Sequence, residues 1–353
     1  MVFRPRFTSL SLSLAFALGA ATASAADADP GMVARFDAEV ARLASADDGP
    51  TLASTRTKRS GADFSVRRRL NIDVSFPGDI RGAMYGGLLH GESAVFTRAG
   101  DFLDATVMRD GDTEVISFDA SAEQKAAIKH APVKETPEST RTRRSVAPGH
   151  FEDPAAYSLQ FNFLKHDDLA DHNARDLHAR FAAWWLADMA VNVLPAEKIR
   201  ASYMAQMPWV TSIAYGGIDS LTLLERTLNV MAPRYSLAVN QSYKIKYVLL
   251  TAGRPMPGTS GVAFEGGNEA IASVAGRSRI VAHEIGHMLG ATHGAGETRG
   301  WWGCETNMLA VSSPTRNDCL EYSAANQRAI RSYMRHGPDT FAPRRMMDAP
   351  TSD

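Results

Sequence analysis

Cysteine is almost absent, with Cys304 and Cys319 the only two in 353 residues. A single bridge is therefore the most that this chain can form. Excess charge is missing too. The formal net charge is −1, so neither a nucleic-acid partner nor an anionic membrane surface is implied. An apolar run long enough for a membrane span is also lacking. The best candidate, Leu10 to Ala21, is short against the roughly 20 residues that a span needs, and serines dilute it.

What stands at the N-terminus fits export instead. Arg4 and Arg6 precede the apolar run, and Ala23-Ser24-Ala25 follows with the small-x-small pattern of a signal-peptidase site. Residues 1–25 are expected to be a cleaved signal, with a mature start near Ala26 and a secreted or periplasmic location. Such compartments are oxidising, and disulfides persist there. A Cys304–Cys319 bridge would close a loop of about 15 residues, worth roughly 3 kcal/mol in the chain-entropy model. Two free buried thiols are the competing reading.

The most informative stretch is His283 to His293: His-Glu-Ile-Gly-His-Met-Leu-Gly-Ala-Thr-His. Helical residues advance by about 100°, so positions four apart share a face. His283 and His287 can thus aim at one ion. Glu284 sits on the flank of that face and can reach a water without ligating. Gly290 can take the φ > 0 that a sharp helix stop needs, which brings His293 round as a third ligand. A fourth position left open for water or substrate marks a catalytic zinc rather than a structural one. By chance, the two-His, one-Glu spacing arises in roughly one chain in a hundred of this length. The specified glycine and third histidine lower that by about a thousandfold. Ile280, Val281, Met288 and Leu289 give the segment helical context, with Ser278 as a candidate N-cap.

These residues resemble the metzincin metalloproteases, whose motif is His-Glu-x-x-His-x-x-Gly-x-x-His followed by a methionine turn. The resemblance implies that His283, His287 and His293 bind one zinc ion, and that Glu284 is the general base. It makes Met308, in Cys304-Glu-Thr-Asn-Met-Leu-Ala310, the turn methionine. The two cysteines bracket that turn. Ala310 stands where the astacin and serralysin branches place a tyrosine, so the likeness leans toward adamalysin (reprolysin-like) enzymes of secreted bacterial type. Gly294 departs from the aspartate that many adamalysins carry there. The specific likeness covers His283 to Tyr322, and a weaker one reaches back to about residue 155.

The length allows two domains. After the signal, Met32 to Leu43 reads as a short amphipathic helix and Thr55 to Arg69 as a basic linker. Alternation in Leu70–Phe76, then Ser93–Thr97, Phe102–Met108 and Thr113–Phe118, predicts a small antiparallel β domain over 26–121. It is similar to the propeptide regions of secreted bacterial metalloproteases. Residues 122–154 read as a linker, with Arg141-Thr-Arg-Arg-Ser145 either a processing site or a solvated charge run. The matrixin cysteine switch is excluded, because no cysteine precedes Cys304.

Residues 155–337 are expected to form an α/β metzincin-like domain with a twisted, mostly parallel sheet. Its strands fall at Tyr157–Phe163, Lys246–Leu250, Gly261–Phe264 and Ala270–Val274, the last two forming the edge before the zinc helix. Helices are expected over 174–193 and 323–334, and 338–353 reads as a tail. His166, His172 and His178 are spaced six apart, so no pair shares a helical face. Trp301-Trp302 could line the cleft or pack in a loop.

The resulting expectation is a secreted, monomeric zinc endopeptidase acting on proteins or peptides. A zinc-stabilised inactive binding module and a zinc amidase acting on cell-wall material are the alternatives. Structural calcium is left open.

Overall fold

The computed structural model describes residues 31–46, 64–120, 156–300, 303–311, 313, 315–338 and 345–350. The signal-like segment, the linker 122–154 with Arg141–Ser145, and Trp301-Trp302 lie outside these. No helix among the described residues is long and apolar enough to cross a membrane.

The fold is mixed α/β. The described strands form one sheet, running from Met346–Pro350 at one edge through Thr259–Phe264, Glu269–Ser273, Ile245–Thr251, Leu159–Lys165 and Ile199–Met204 to five N-terminal strands that follow in chain order. Strands β1 (Phe64–Phe76), β2 (Ile80–Leu89), β3 (Glu92–Ala99), β4 (Phe102–Arg109) and β5 (Asp112–Asp119) make an antiparallel meander. Helix α1 (Met32–Ala46) packs on one face, with Phe36 meeting the rings of Phe64, Tyr85 and Phe96. The other face, including Leu70, Ile72, Val74 and Val95, shares a core with Trp184 and Trp185. The meander is thus not a separate globule.

The remaining strands are β6 (Leu159–Lys165), β7 (Ile199–Met204), β8 (Ile245–Thr251), β9 (Thr259–Phe264) and β10 (Glu269–Ser273). Strands β6, β7, β8 and β10 run parallel, and β9 returns antiparallel to β10. All seven residues of β8 are buried, as expected of a parallel strand covered on both faces. Helices α2 (Ala174–Phe181), α3 (Ala183–Asp188), α4 (Ser220–Tyr235), α5 (Arg279–Met288) and α6 (Ala324–His336) complete the set.

Three sequence expectations need correction. The basic segment ending at Arg69 is already strand from Phe64. There Val66 and Leu70 bury while Arg67, Arg68 and Arg69 project outward, and the register slips beside them. The helix expected over 174–193 kinks at Ala182 (φ −124°, ψ −36°) and ends in a π turn, Met189–Val193. The kink lies between two anchored side chains, His178 and Trp185. The tail, finally, is not structureless: Met346–Pro350 forms β11, antiparallel to β9.

His178 stitches the meander to the rest. Its fully buried ring meets Thr97 Oγ1 of β3 and Tyr203 OH of β7, each at 2.9 Å. Burial pushes its pKa down to about 3 from an ordinary 6.5. Protonation therefore favours the unfolded chain. Stability from this site is whole above about pH 6.5 and is lost as pH falls toward 3, at up to about 1.4 kcal/mol per pH unit. In His178→Gln that slope should shrink by about one proton, at a baseline cost of about 1–3 kcal/mol. Urea unfolding between about pH 7 and pH 5 measures it, and an unchanged slope would rule out His178 as the titrating group.

Candidate metal centre

Helix α5 carries the first half of the site. His283 and His287 lie one turn apart, with their Nε2 atoms 3.1 Å from each other. The helix then stops at Gly290, whose φ is +79°. Gly290 N donates to His287 O at 3.0 Å and Ala291 N to Gly286 O at 2.8 Å, a Schellman closure. The chain reverses into a short 3₁₀ turn, His293–Ala295, which places His293 Nε2 at 3.0 Å from both other Nε2 atoms. The turn expected at Gly290 is present. Ser278 precedes α5 as expected, but its hydroxyl makes no cap hydrogen bond.

The donor set suits a cation. His283 Nδ1 faces Asn307 O at 2.8 Å, and His287 Nδ1 faces Ala291 O at 3.2 Å. A carbonyl only accepts, so each Nδ1 carries the proton and each Nε2 presents a bare lone pair. Two lone pairs aimed at each other repel unless something positive lies between them. Ligands at 2.0–2.1 Å in a tetrahedron stand roughly 3.3 Å apart, close to the spacing found. Among the described residues these three histidines are the group able to share a metal ion. Burial, then the neighbouring rings, holds His283 well below its usual pKa, and the same causes bring His287 to about 3. Neutral imidazole is the form that ligates.

Glu284 is fully buried on the same helix. Gly261 of β9 lies directly against it: a Cβ there would stand 2.4 Å from Glu284 Oε1. The carboxylate is therefore wedged between the histidine helix and β9, and only glycine leaves it room.

Met308 is fully buried against α5, where a Cβ on Gly286 would come within 2.3 Å of its sulfur. The neighbouring Asn307 supplies the carbonyl that orients His283. Cys304 and Cys319 are joined in a disulfide around this turn. Inside the closed loop, Glu305 N donates to Asn317 O and Cys319 N to Glu305 O.

Sequence reasoning missed the groups that fix the ends of α5. Lys246 of β8 is fully buried, and its Nζ reaches Met288 O at 2.9 Å, Gly267 O at 2.6 Å and Tyr333 OH at 2.8 Å. An ammonium at a helix C-terminus also complements the macrodipole. At the other end, buried Arg279 pairs with Glu305 at 3.2 Å and Asp318 at 3.4 Å, and donates to Thr306 O. This ties α5 to the disulfide loop. A buried lysine inside an apolar strand was the one available signal for the first of these. His166 and His178 are buried in separate hydrogen-bonded settings away from the centre, while His172 and His90 are exposed. Glu297 pairs through its backbone with Thr306.

No known protein family matches the chain, and no curated protein does. Among solved structures it is similar to metalloproteinase-II from Bacteroides fragilis, at 15% identity and a TM-score of 0.48, over 76% of this chain and 86% of that one. Such a likeness defines no residue-by-residue correspondence, so the site stands on its own atoms.

Zinc at a hundredfold excess over its Kd should stabilise the chain by about 2.7 kcal/mol. Thermal unfolding with and without zinc measures the shift, and elemental analysis should find one ion per chain. His287→Ala should lose both the ion and the shift. A variant that retained them would place the metal elsewhere.

Proposed function

We propose that this chain is an exported zinc-dependent endopeptidase of metzincin type. The observation that carries the reading is a single juxtaposition. Three convergent imidazole nitrogens and a buried glutamate stand beside the backbone of β9. His283, His287 and His293 would hold the ion, and Met308 would form the methionine turn beneath it. Zinc held there would supply Lewis acidity and lower the pKa of an adjacent water.

The chain's own groups do the rest. The outer edge of β9, paired with β11 in this structure, carries the donors and acceptors that an extended peptide would take in that strand's place, which is β-augmentation, and so sets the scissile bond beside Glu284. Glu284 takes a proton from the attacking water and returns it to the leaving amine. The wall formed by Gly261 keeps the carboxylate in one place and limits water around it. Export is supported by the apolar N-terminal run and by the disulfide.

Two variants test the assignment without touching a ligand. Glu284→Gln should keep metal and fold but lose about 10²- to 10⁴-fold in kcat on a protein substrate. Gly261→Ala should also keep the metal and lose activity, because its methyl group displaces the carboxylate. Fluorogenic peptides and casein, assayed beside a cell-wall substrate with and without chelator, give the readout. Full activity in Glu284→Gln would sink the mechanism, and turnover of the cell-wall substrate alone would move the assignment to an amidase.

A further inference from the structure

The outer edge of β9, where the reading above places the substrate, is covered by the chain itself. Strand β11 pairs with it antiparallel, with Met346 opposite Phe264, Met347 opposite Ala263, Asp348 opposite Val262 and Ala349 opposite Gly261. Gly261 is the residue against which Glu284 lies. Strand β11 also runs alongside α5, the helix that carries His283 and Glu284. A segment near the C-terminus thus holds the backbone positions that an extended peptide would need, beside the same carboxylate.

We infer that residues 345–350 are a built-in pseudosubstrate, a strand that occupies the peptide-binding edge and must leave before a substrate can enter. The inference rests on the peptidase reading above. The ladder starts with Glu265 N donating to Arg345 O at 2.9 Å. Two features make the strand displaceable rather than structural. Its register shifts between Ala349 and Pro350, and proline has no N–H to extend the ladder. Met346 is 39% exposed, unlike the buried residues of β8, β9 and β10. Exposure at the start of a strand lowers its local stability.

The tether sets the strength of the effect. Helix α6 ends at His336 and β11 begins at Met346, so a short connection holds the strand near the edge. A covalent link of that length gives an effective concentration on the order of millimolar. An incoming peptide competes with that local concentration. Competition raises KM and leaves kcat alone, since the strand is absent from every productive complex.

The test uses the full chain with Met347→Pro and Asp348→Pro together. Adjacent strand residues direct their N–H groups to opposite sides, so one of the two prolines removes a donor aimed at β9. The KM for an extended peptide should fall roughly tenfold with kcat unchanged. A synthetic peptide with the sequence of residues 345–353 should inhibit the double variant competitively. Its fluorescently labelled form should bind the variant more tightly than the unaltered chain. Equal KM values, with no inhibition and no difference in binding, would overturn the inference while leaving the peptidase reading intact. If neither chain hydrolyses anything yet the labelled peptide still prefers the variant, the edge is self-occupied and the peptidase reading has failed. Loss of the last residues from the unaltered chain, but not from Glu284→Gln, would mean that the strand is consumed as substrate and would overturn the inhibitory role.

Discussion

Two carbonyl oxygens govern the centre. Those of Asn307 and Ala291 face the Nδ1 atoms of His283 and His287, and so decide which nitrogen each ring presents. With that choice made, the opposite nitrogens converge with His293 on one point. Each carbonyl depends on a separate piece of structure. Asn307 is held by the turn inside the disulfide loop, and Ala291 by the left-handed glycine that ends α5. A change in either would let a ring rotate and withdraw a lone pair from the point where the three nitrogens meet.

Helix α5 can hold that geometry because both of its ends are fastened. Lys246 reaches its last carbonyls from the middle of the sheet, and Arg279 ties its first turn to Glu305 and Asp318. Burying an ammonium or a guanidinium is costly unless the charge is paired and hydrogen-bonded, and both conditions are met here. Tyr322 adds a third tie, donating to Ala282 O while accepting from Trp185 Nε1. The helix is therefore fixed relative to β9 as well as to the turn beneath it. That is what allows Gly261 and Glu284 to approach so closely.

Local patterns were legible in the sequence, and long-range pairings were not. The spacing from His283 to His293 announced the cluster, and Gly290 announced the turn, because both depend on residues near in sequence. The two cysteines left only one partner for each other. Strand β2 went unnoticed because Gly82, Gly86 and Gly87 break its apolar alternation. Strand β7 and helix α4 went unnoticed too, the first six residues long and the second of low amphipathic contrast. The role of Gly261 could not be read at all. A glycine required by a carboxylate 23 positions away (284 less 261) leaves no local trace.

The C-terminal strand is the sharpest case of the same limit. Residues 346–350 have the composition of a tail, with a charge and a proline and no period. What makes them a strand is not their own propensity but the template beside them. An edge with free N–H and C=O groups pairs with whatever extended chain is nearest, and most sheets blunt such edges with charge, bulges or cover. On the proposed reading this edge cannot be blunted permanently, because an extended substrate needs the same groups. A cover with a register shift and an exposed first residue satisfies both demands: it shields the edge when no peptide is present and gives way when one is. The register shift at Pro350 and the exposure of Met346 are then consequences of that compromise, and a longer, fully buried β11 would close the site for good.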